Sequence, residues 1–139
     1  MKQASHQLHV ATRGKGLYEF THEVERWVSA QNIREGLLTL FCRHTSASLV
    51  IQENADPDVR TDLERYFEKI VPEDDRLYIH TIEGSDDMPA HIRSALTTVQ
   101  LSIPVIGGSP ALGTWQGIYL FEHRSSSHRR TVALHLIGE

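Results

Sequence analysis

Residues 114–137, TWQGIYLFEHRSSSHRRTVALHLI, read as two strands, 114–123 and 130–137, joined at a Ser125-Ser126-Ser127 tip. Tyr119, Phe121 and His123 share a face by the two-residue period of a strand, so the imidazole continues an otherwise buried side. Two apolar runs around a short polar link predict an antiparallel hairpin. Working outward, residues 100–106 form another strand, set off by the Gly107-Gly108-Ser109-Pro110 turn. Leu37–Cys42 and Ser48–Ile51 have the length and character of buried strands. Residues 3–12 alternate Ala4, His6, Leu8 and Val10 with polar neighbours until Gly14 and Gly16 break the pattern. Leu77–Ile82 also alternates and predicts a strand.

Helices fall between these strands. Phe20, Val24, Trp27 and Val28 make an apolar stripe over about Thr21–Gln31, with Thr21 as the expected N-cap. Asp56-Pro57 starts a second helix, striped by Val59, Leu63, Phe67 and Ile70 and stopped by Pro72. Pro89 opens a short third one carrying His91. Strands dominate without a βαβ rhythm, which predicts an α+β fold: a single domain over residues 1–139, an antiparallel β-sandwich or sheet, and about three helices.

Composition narrows the function classes. The chain has 139 residues, 40% hydrophobic and 23% charged, as in an ordinary folded domain. A net charge of −4 gives no general electrostatic case for nucleic acid. No apolar run approaches the roughly 18 residues that a membrane span needs. The polar start lacks a signal core, so the cytoplasm is the expected compartment. The lone Cys42 excludes an internal disulfide framework and a cysteine-rich zinc site. Nine histidines therefore stand out, and any metal must rest on imidazole and carboxylate.

Five polar segments sit at element ends. His44-Thr45-Ser46-Ala47-Ser48 offers hydroxyls that can cradle a phosphate, or a turn that satisfies its own backbone. Glu53 and Asn54 close a strand, where a carboxylate can act as a base. Asp56 and Asp58 are explained by the helix start that follows. His80, Glu83, Asp86, Asp87 and His91 lie within twelve residues, and Asp87 and His91 are spaced to share one helix face. Thr114, Trp115 and Gln116 stand between Gly113 and Gly117. His123, Arg124, Arg129 and Arg130 surround the serine tip, and guanidinium suits phosphate, although tips also carry solvated charge. His6, His9, His22, His128 and His135 read as surface or edge residues.

Three runs, HTSASLVIQENADPDV (44–59), EGSDDMPAHI (83–92) and LGTWQGIYLFEHR (112–124), resemble the YjbQ family, whose members are described as secondary thiamine-phosphate synthases. The resemblance covers residues 3–138. Many relatives carry a basic residue within 107–110, which this chain lacks, and the serine tip varies. The resemblance implies a homotrimer and a polar cleft, in a protomer or between subunits, where His44, Glu53, His80, Asp87, His91 and His123 converge. It implies the joining of an aminopyrimidine diphosphate to a thiazole phosphate, and it admits a divalent metal, Mg or Zn.

On that basis His44, Glu53 and Asp87 are the expected catalytic groups, and His80, His91 and His123 the expected metal ligands. Thr45, Ser46, Ser48, Asn54, Thr114, Trp115, Gln116, Arg124, Arg129 and Arg130 are the expected contacts to a small phosphorylated metabolite. No nucleic acid or membrane partner is expected. The alternative is a module that captures such a metabolite or a metal ion without turnover.

Overall fold

The computed structural model describes all 139 residues, Met1–Glu139. Eight strands and three helices follow in the order β1 (Lys2–Arg13), β2 (Gly16–Glu19), α1 (Thr21–Ser29), β3 (Glu35–Cys42), β4 (Ala47–Glu53), α2 (Pro57–Ile70), α3 (Asp87–Leu96), β5 (Gln100–Ile106), β6 (Ser109–Pro110), β7 (Gln116–Glu122) and β8 (Ser127–Gly138). They form two antiparallel sheets, β1-β8-β3-β5-β6 and β2-β7-β4. The inward residues Leu38, Leu40, Val132, Leu134 and Leu136 of the large sheet join Leu49, Ile118 and Leu120 of the small one in a single buried cluster. Val24 and Val28 of α1 complete it. The fold is α+β, as the patterning requires.

Tyr119 and Phe121 point to the other face of β7, and α2 covers them. Phe67 meets Phe121 edge-on at 5.4 Å, and the Arg60 guanidinium lies over Tyr119. Asp56 caps α2, accepting the Asp58 N–H at 2.9 Å. Ile70, expected on the packed stripe, is 45% exposed at the C-terminal end of the helix.

The hairpin expected at 114–137 is absent. β7 pairs with β2 and β4, whereas β8 pairs with β1 and β3. Residues 123–126 carry the chain from one sheet to the other. β7 is buried on both faces, whereas β8 buries only the face carrying Arg130, Val132, Leu134 and Leu136, so each strand packs in its own layer with their inward faces meeting across the sandwich. Glu122 ends β7 facing inward and meets Arg130 of β8 across the sandwich.

That ion pair is buried and fully engaged. Glu122 Oε1 accepts from Arg130 Nε at 2.8 Å and from Thr12 Oγ1 at 2.6 Å. Its Oε2 accepts from Arg130 and from the backbone N–H groups of His123 and Arg124. Burial opposes ionisation of the carboxyl, but the bonds from Arg130 and Thr12 outweigh it and hold the group below its usual range.

Three local expectations are corrected. Leu77–Ile82 is not a strand: a 3₁₀ turn at Asp75–Leu77 leads into an irregular loop. No sheet edge is within its reach to pair with, and Ile79 and Ile82 stand almost fully exposed. Thr21 is the first residue of α1 and not its cap; its hydroxyl accepts the Ile118 N–H at 2.9 Å and donates to Glu19 at 2.8 Å. The third helix begins at Asp87, two residues before Pro89.

Removing Arg130 should strand a buried carboxylate. Arg130→Met is expected to cost about 3–5 kcal/mol of unfolding free energy, read by urea denaturation. Adding Glu122→Leu should recover most of that loss. A double variant as unstable as the single one would show that the pair is not what the single change breaks.

Candidate functional site

Asp87 opens α3, and His91 follows one turn later on the same side of the helix. The loop before α3 returns His80 to the same point. Asp87 Oδ2 lies 2.7 Å from His80 Nε2 and 3.2 Å from His91 Nε2. One donor atom from each of the three residues falls within 4.8 Å of the others. Asp87 is buried, His91 half-buried, and His80 43% exposed, so the group opens on one side to solvent. Glu83 stands at its rim, with Oε2 3.7 Å from His80 Nε2.

Hydrogen bonds behind these side chains fix their orientation. His91 Nδ1 lies 2.9 Å from the Thr45 carbonyl, which can only accept, so Nδ1 carries the proton. A neutral His91 then turns an unprotonated Nε2 toward a carboxylate oxygen. Two lone pairs face each other there unless a proton or a cation lies between them. Asp87 Oδ1 accepts from Arg124 at 2.7 Å. Burial works against ionisation of Asp87, but the His80 bond, Arg124 and His91 outweigh it and hold the carboxyl below its ordinary range. Two imidazole nitrogens and one carboxylate oxygen, open on one side, suit a divalent cation of the zinc class.

The remaining expected residues divide between two places. Ala47 pairs with Glu122 at one end of the β4–β7 ladder and Glu53 with Gln116 at the other. Six residues of strand separate those ends, about 20 Å. Glu53, Asn54, Thr114, Trp115 and Gln116 therefore do not converge with His80, Asp87 and His91 within one protomer. At their end they lock a turn. Glu53 Oε2 accepts the Ala55 and Asp56 N–H groups at 2.6 and 2.8 Å. Asn54 Nδ2 reaches the Thr114 and Gln116 carbonyls, and Gln116 Oε1 takes the Gly113 N–H at 2.7 Å. A Cβ at Gly117 would crowd the Glu19 carboxylate at 2.7 Å and Asn54 Cβ and the Tyr119 ring at 3.1 Å, so a larger residue there would require these side chains to shift. Trp115 is 64% exposed and unpacked.

Residues at the nearer end are mostly committed to structure. His44 Nε2 accepts the Thr131 N–H at 2.8 Å, and burial followed by the Arg130 charge keeps its ring neutral. Ser46 accepts from Arg130 through its hydroxyl at 3.0 Å and its carbonyl at 3.2 Å. Ser48 is buried between His123 Nε2 at 2.8 Å and Thr97 Oγ1 at 2.7 Å. His123 is thus directed to Ser48 and lies outside the His80–Asp87–His91 group. Arg124 is held by Asp86, Asp87 and the Glu83 carbonyl. Arg130 belongs to the Glu122 pair, and the exposed Arg129 alternates onto the outward face of the large sheet. None of the three guanidinium groups stands free beside the group.

A family model described as UPF0047 protein YjbQ-like matches residues 6–139. The chain belongs to the YjbQ family. A UPF0047 protein of Synechocystis is 53% identical over 138 residues, covering 99% of this chain and 94% of its own length. The YjbQ protein of Salmonella typhimurium is 45% identical, with 94% of each chain covered. Among solved structures, a YjbQ/UPF0047 protein of Clostridium acetobutylicum is 31% identical with a TM-score of 0.85, covering 94% of this chain and 98% of its own. A protein from Sulfolobus solfataricus described as of unknown function shares the fold at a TM-score of 0.90 and 24% identity, over 99% of both chains.

Sequence reading placed Asp86 in the cluster without a role and passed over Thr97 and Arg93, all of which organise this YjbQ-family site. Asp86 anchors Arg124 Nε at 2.9 Å and the Ser125 N–H at 2.9 Å. Thr97 closes the relay to Ser48 and His123. Arg93 lies on the buried side of α3 in an ion pair with Glu64. Its position three residues after Ala90 marks the inward face, but an arginine there does not read as core.

Burial, followed by the Arg93 charge, drives the His123 pKa from 6.5 to about 3. The unfolded chain gains a proton at this residue below about 6.5, whereas the folded chain resists it until about 3. Stability from this source is complete above 6.5 and declines as pH falls toward 3, by about 1 kcal/mol per pH unit. His123→Asn should reduce that slope between pH 6 and 4.5 in urea titrations, whatever it does to stability at pH 7. An unchanged slope would mean that His123 is protonated in the native chain.

Proposed function

We propose that the His80–Asp87–His91 group binds a divalent cation and that the chain is an enzyme acting there on a small phosphorylated metabolite. The observation that carries this reading is the convergence of His80 Nε2, His91 Nε2 and Asp87 Oδ2 within 4.8 Å, with the Thr45 carbonyl on His91 Nδ1 aiming Nε2 at the carboxylate, a contact that a proton or a cation can bridge. A bound divalent cation supplies charge stabilisation at phosphate oxygens. Thiamine-phosphate formation is the named candidate, on the family resemblance, because departure of diphosphate develops charge that such a site can offset.

A cleft of about 440 Å³ lined by Phe41, Arg43, His44, Thr45 and Val99 adjoins the group through Thr45. Since His44 Nε2 is taken by the Thr131 N–H, its proton sits on Nδ1, and the ring serves as a donor rather than a base. Arg43 has only a 3.5 Å contact to Gln7, so its guanidinium is available for an anion. Phe41 and Val99 supply apolar wall for a ring.

A second reading is non-catalytic capture of such a metabolite or of the metal ion. It is favoured by the engagement of His44 and Glu53 in structural hydrogen bonds, which leaves the exposed Glu83 and His80 as the bases at hand. A homotrimer is proposed with either reading. The outward face of the large sheet has no covering layer, and Leu37, Phe41 and Ile137 are 44%, 47% and 37% exposed on it. Association would also be the route by which the Trp115 end of one protomer comes near the cation group of another.

Purified protein given an aminopyrimidine diphosphate, a thiazole phosphate and a divalent cation is expected to form thiamine phosphate. His91→Ala or Asp87→Asn should lower the rate by about 100-fold, as loss of a metal ligand or its support commonly does. Turnover that survives the two changes together would remove this site from the reaction. Stoichiometric cation or metabolite binding without product would favour capture. Sedimentation should give three protomers per particle.

A further inference from the structure

We propose that Arg124 sets the class of cation the site accepts, restricting it to zinc-like ions over magnesium and calcium. This inference rests on the cation reading above and deepens it by naming the ion class and the residue that selects it.

The two oxygens of Asp87 have separate tasks. Oδ2 faces both imidazoles, at 2.7 and 3.2 Å. Oδ1 accepts from Arg124 at 2.7 Å. A carboxylate can chelate an ion through both oxygens only if both are free, and here one is held by a charged donor. Asp87 is therefore limited to one ligand atom.

Arg124 is not free to swing away. Its Nε donates to Asp86 Oδ2 at 2.9 Å and a terminal nitrogen donates to the Glu83 carbonyl at 3.0 Å. Asp86 Oδ2 is itself held by the Ser125 N–H at 2.9 Å. The guanidinium is clamped at three points with only 19% of its side chain exposed. Releasing Asp87 Oδ1 by moving Arg124 would break contacts on both sides of the loop before α3.

The consequence differs by ion. Calcium wants six to eight oxygens and magnesium a near-octahedral oxygen shell, and both depend on carboxylate charge. This group offers two nitrogens and a single oxygen, and the adjacent guanidinium offsets the charge on that oxygen. Zinc-like ions bind well through imidazole nitrogen and lose less. The same arrangement commits three of the five Arg124 N–H groups to Asp86, Asp87 and the Glu83 carbonyl rather than to a phosphate.

The test compares zinc, manganese and calcium affinities by chelator competition in the full chain and in Arg124→Gln, with cobalt absorption as a readout of coordination number. The unsubstituted chain should bind one zinc ion per protomer and strongly prefer it. In Arg124→Gln the zinc-to-manganese affinity ratio should fall by about tenfold or more, because zinc loses an oriented ligand while manganese gains a free oxygen. The cobalt spectrum should shift toward the weaker bands of higher coordination. If Arg124→Gln does not fold, Asp86→Asn, which loosens the guanidinium without deleting it, takes its place with the same direction of change. An unchanged ratio in a folded variant overturns the role of Arg124 and leaves the cation site standing. Zinc binding that is absent, or indifferent to His91→Ala, overturns the cation reading and this inference with it.

Discussion

Glu122, the last residue of β7 before the crossover, meets Arg130, the fourth residue of β8 after it, inside the sandwich. A charge pair so deeply buried is tolerable only when every polar atom finds a partner, and this one draws them from β1, from the loop before β4 and from the backbone after β7. Thr12, Ser46, His123 and Arg124 are thereby set at fixed positions around one carboxylate. The His80–Asp87–His91 group is tied to that arrangement indirectly. Arg124 follows Glu122 by two residues, and its guanidinium donates to Asp86 and Asp87 at the start of α3. The segment anchored at Ser46 also presents the Thr45 carbonyl to His91.

Polar residues that looked alike in the sequence have therefore separated into distinct tasks. His44 and His123 are neutral rings used to tie backbone and hydroxyl groups together. His80 and His91 are the rings left with a nitrogen directed at an acid. Glu53 and Asn54 build a turn, whereas Asp87, with the same functional group as Glu53, is left facing Arg124 and two imidazoles. Chemical type was common to both sets. What divided them was whether the neighbouring backbone had unmet hydrogen bonds to fill.

Legibility followed the range of the interactions involved. The strands from 3–12, 37–42, 100–106 and 130–137 were readable because each buries one side locally, and Asp56-Pro57 marked α2 because capping is a contact between near neighbours. Asp87 with His91 was readable for the same reason, being one helical turn apart. The strand expected at 77–82 failed since alternation alone cannot supply a pairing partner. Arg93 and Thr97 were overlooked because nothing local distinguishes a buried polar side chain from an exposed one.

The sequence by itself determined the α+β class, the number of helices and the pairing of Asp87 with His91, all of which rest on periodicity or on residues within one turn of each other, and its three motif runs carried the family resemblance. Tertiary structure alone decided that β7 and β8 lie in opposite sheets, that the Trp115 end is separated from the His80–Asp87–His91 group by a strand's length, and that Arg124 and Arg130 hold carboxylates while Arg129 faces outward. Those outcomes depend on which strand pairs with which. The pairing is settled by how two apolar faces and one buried ion pair are satisfied together, and no stretch of chain contains both sides of that requirement.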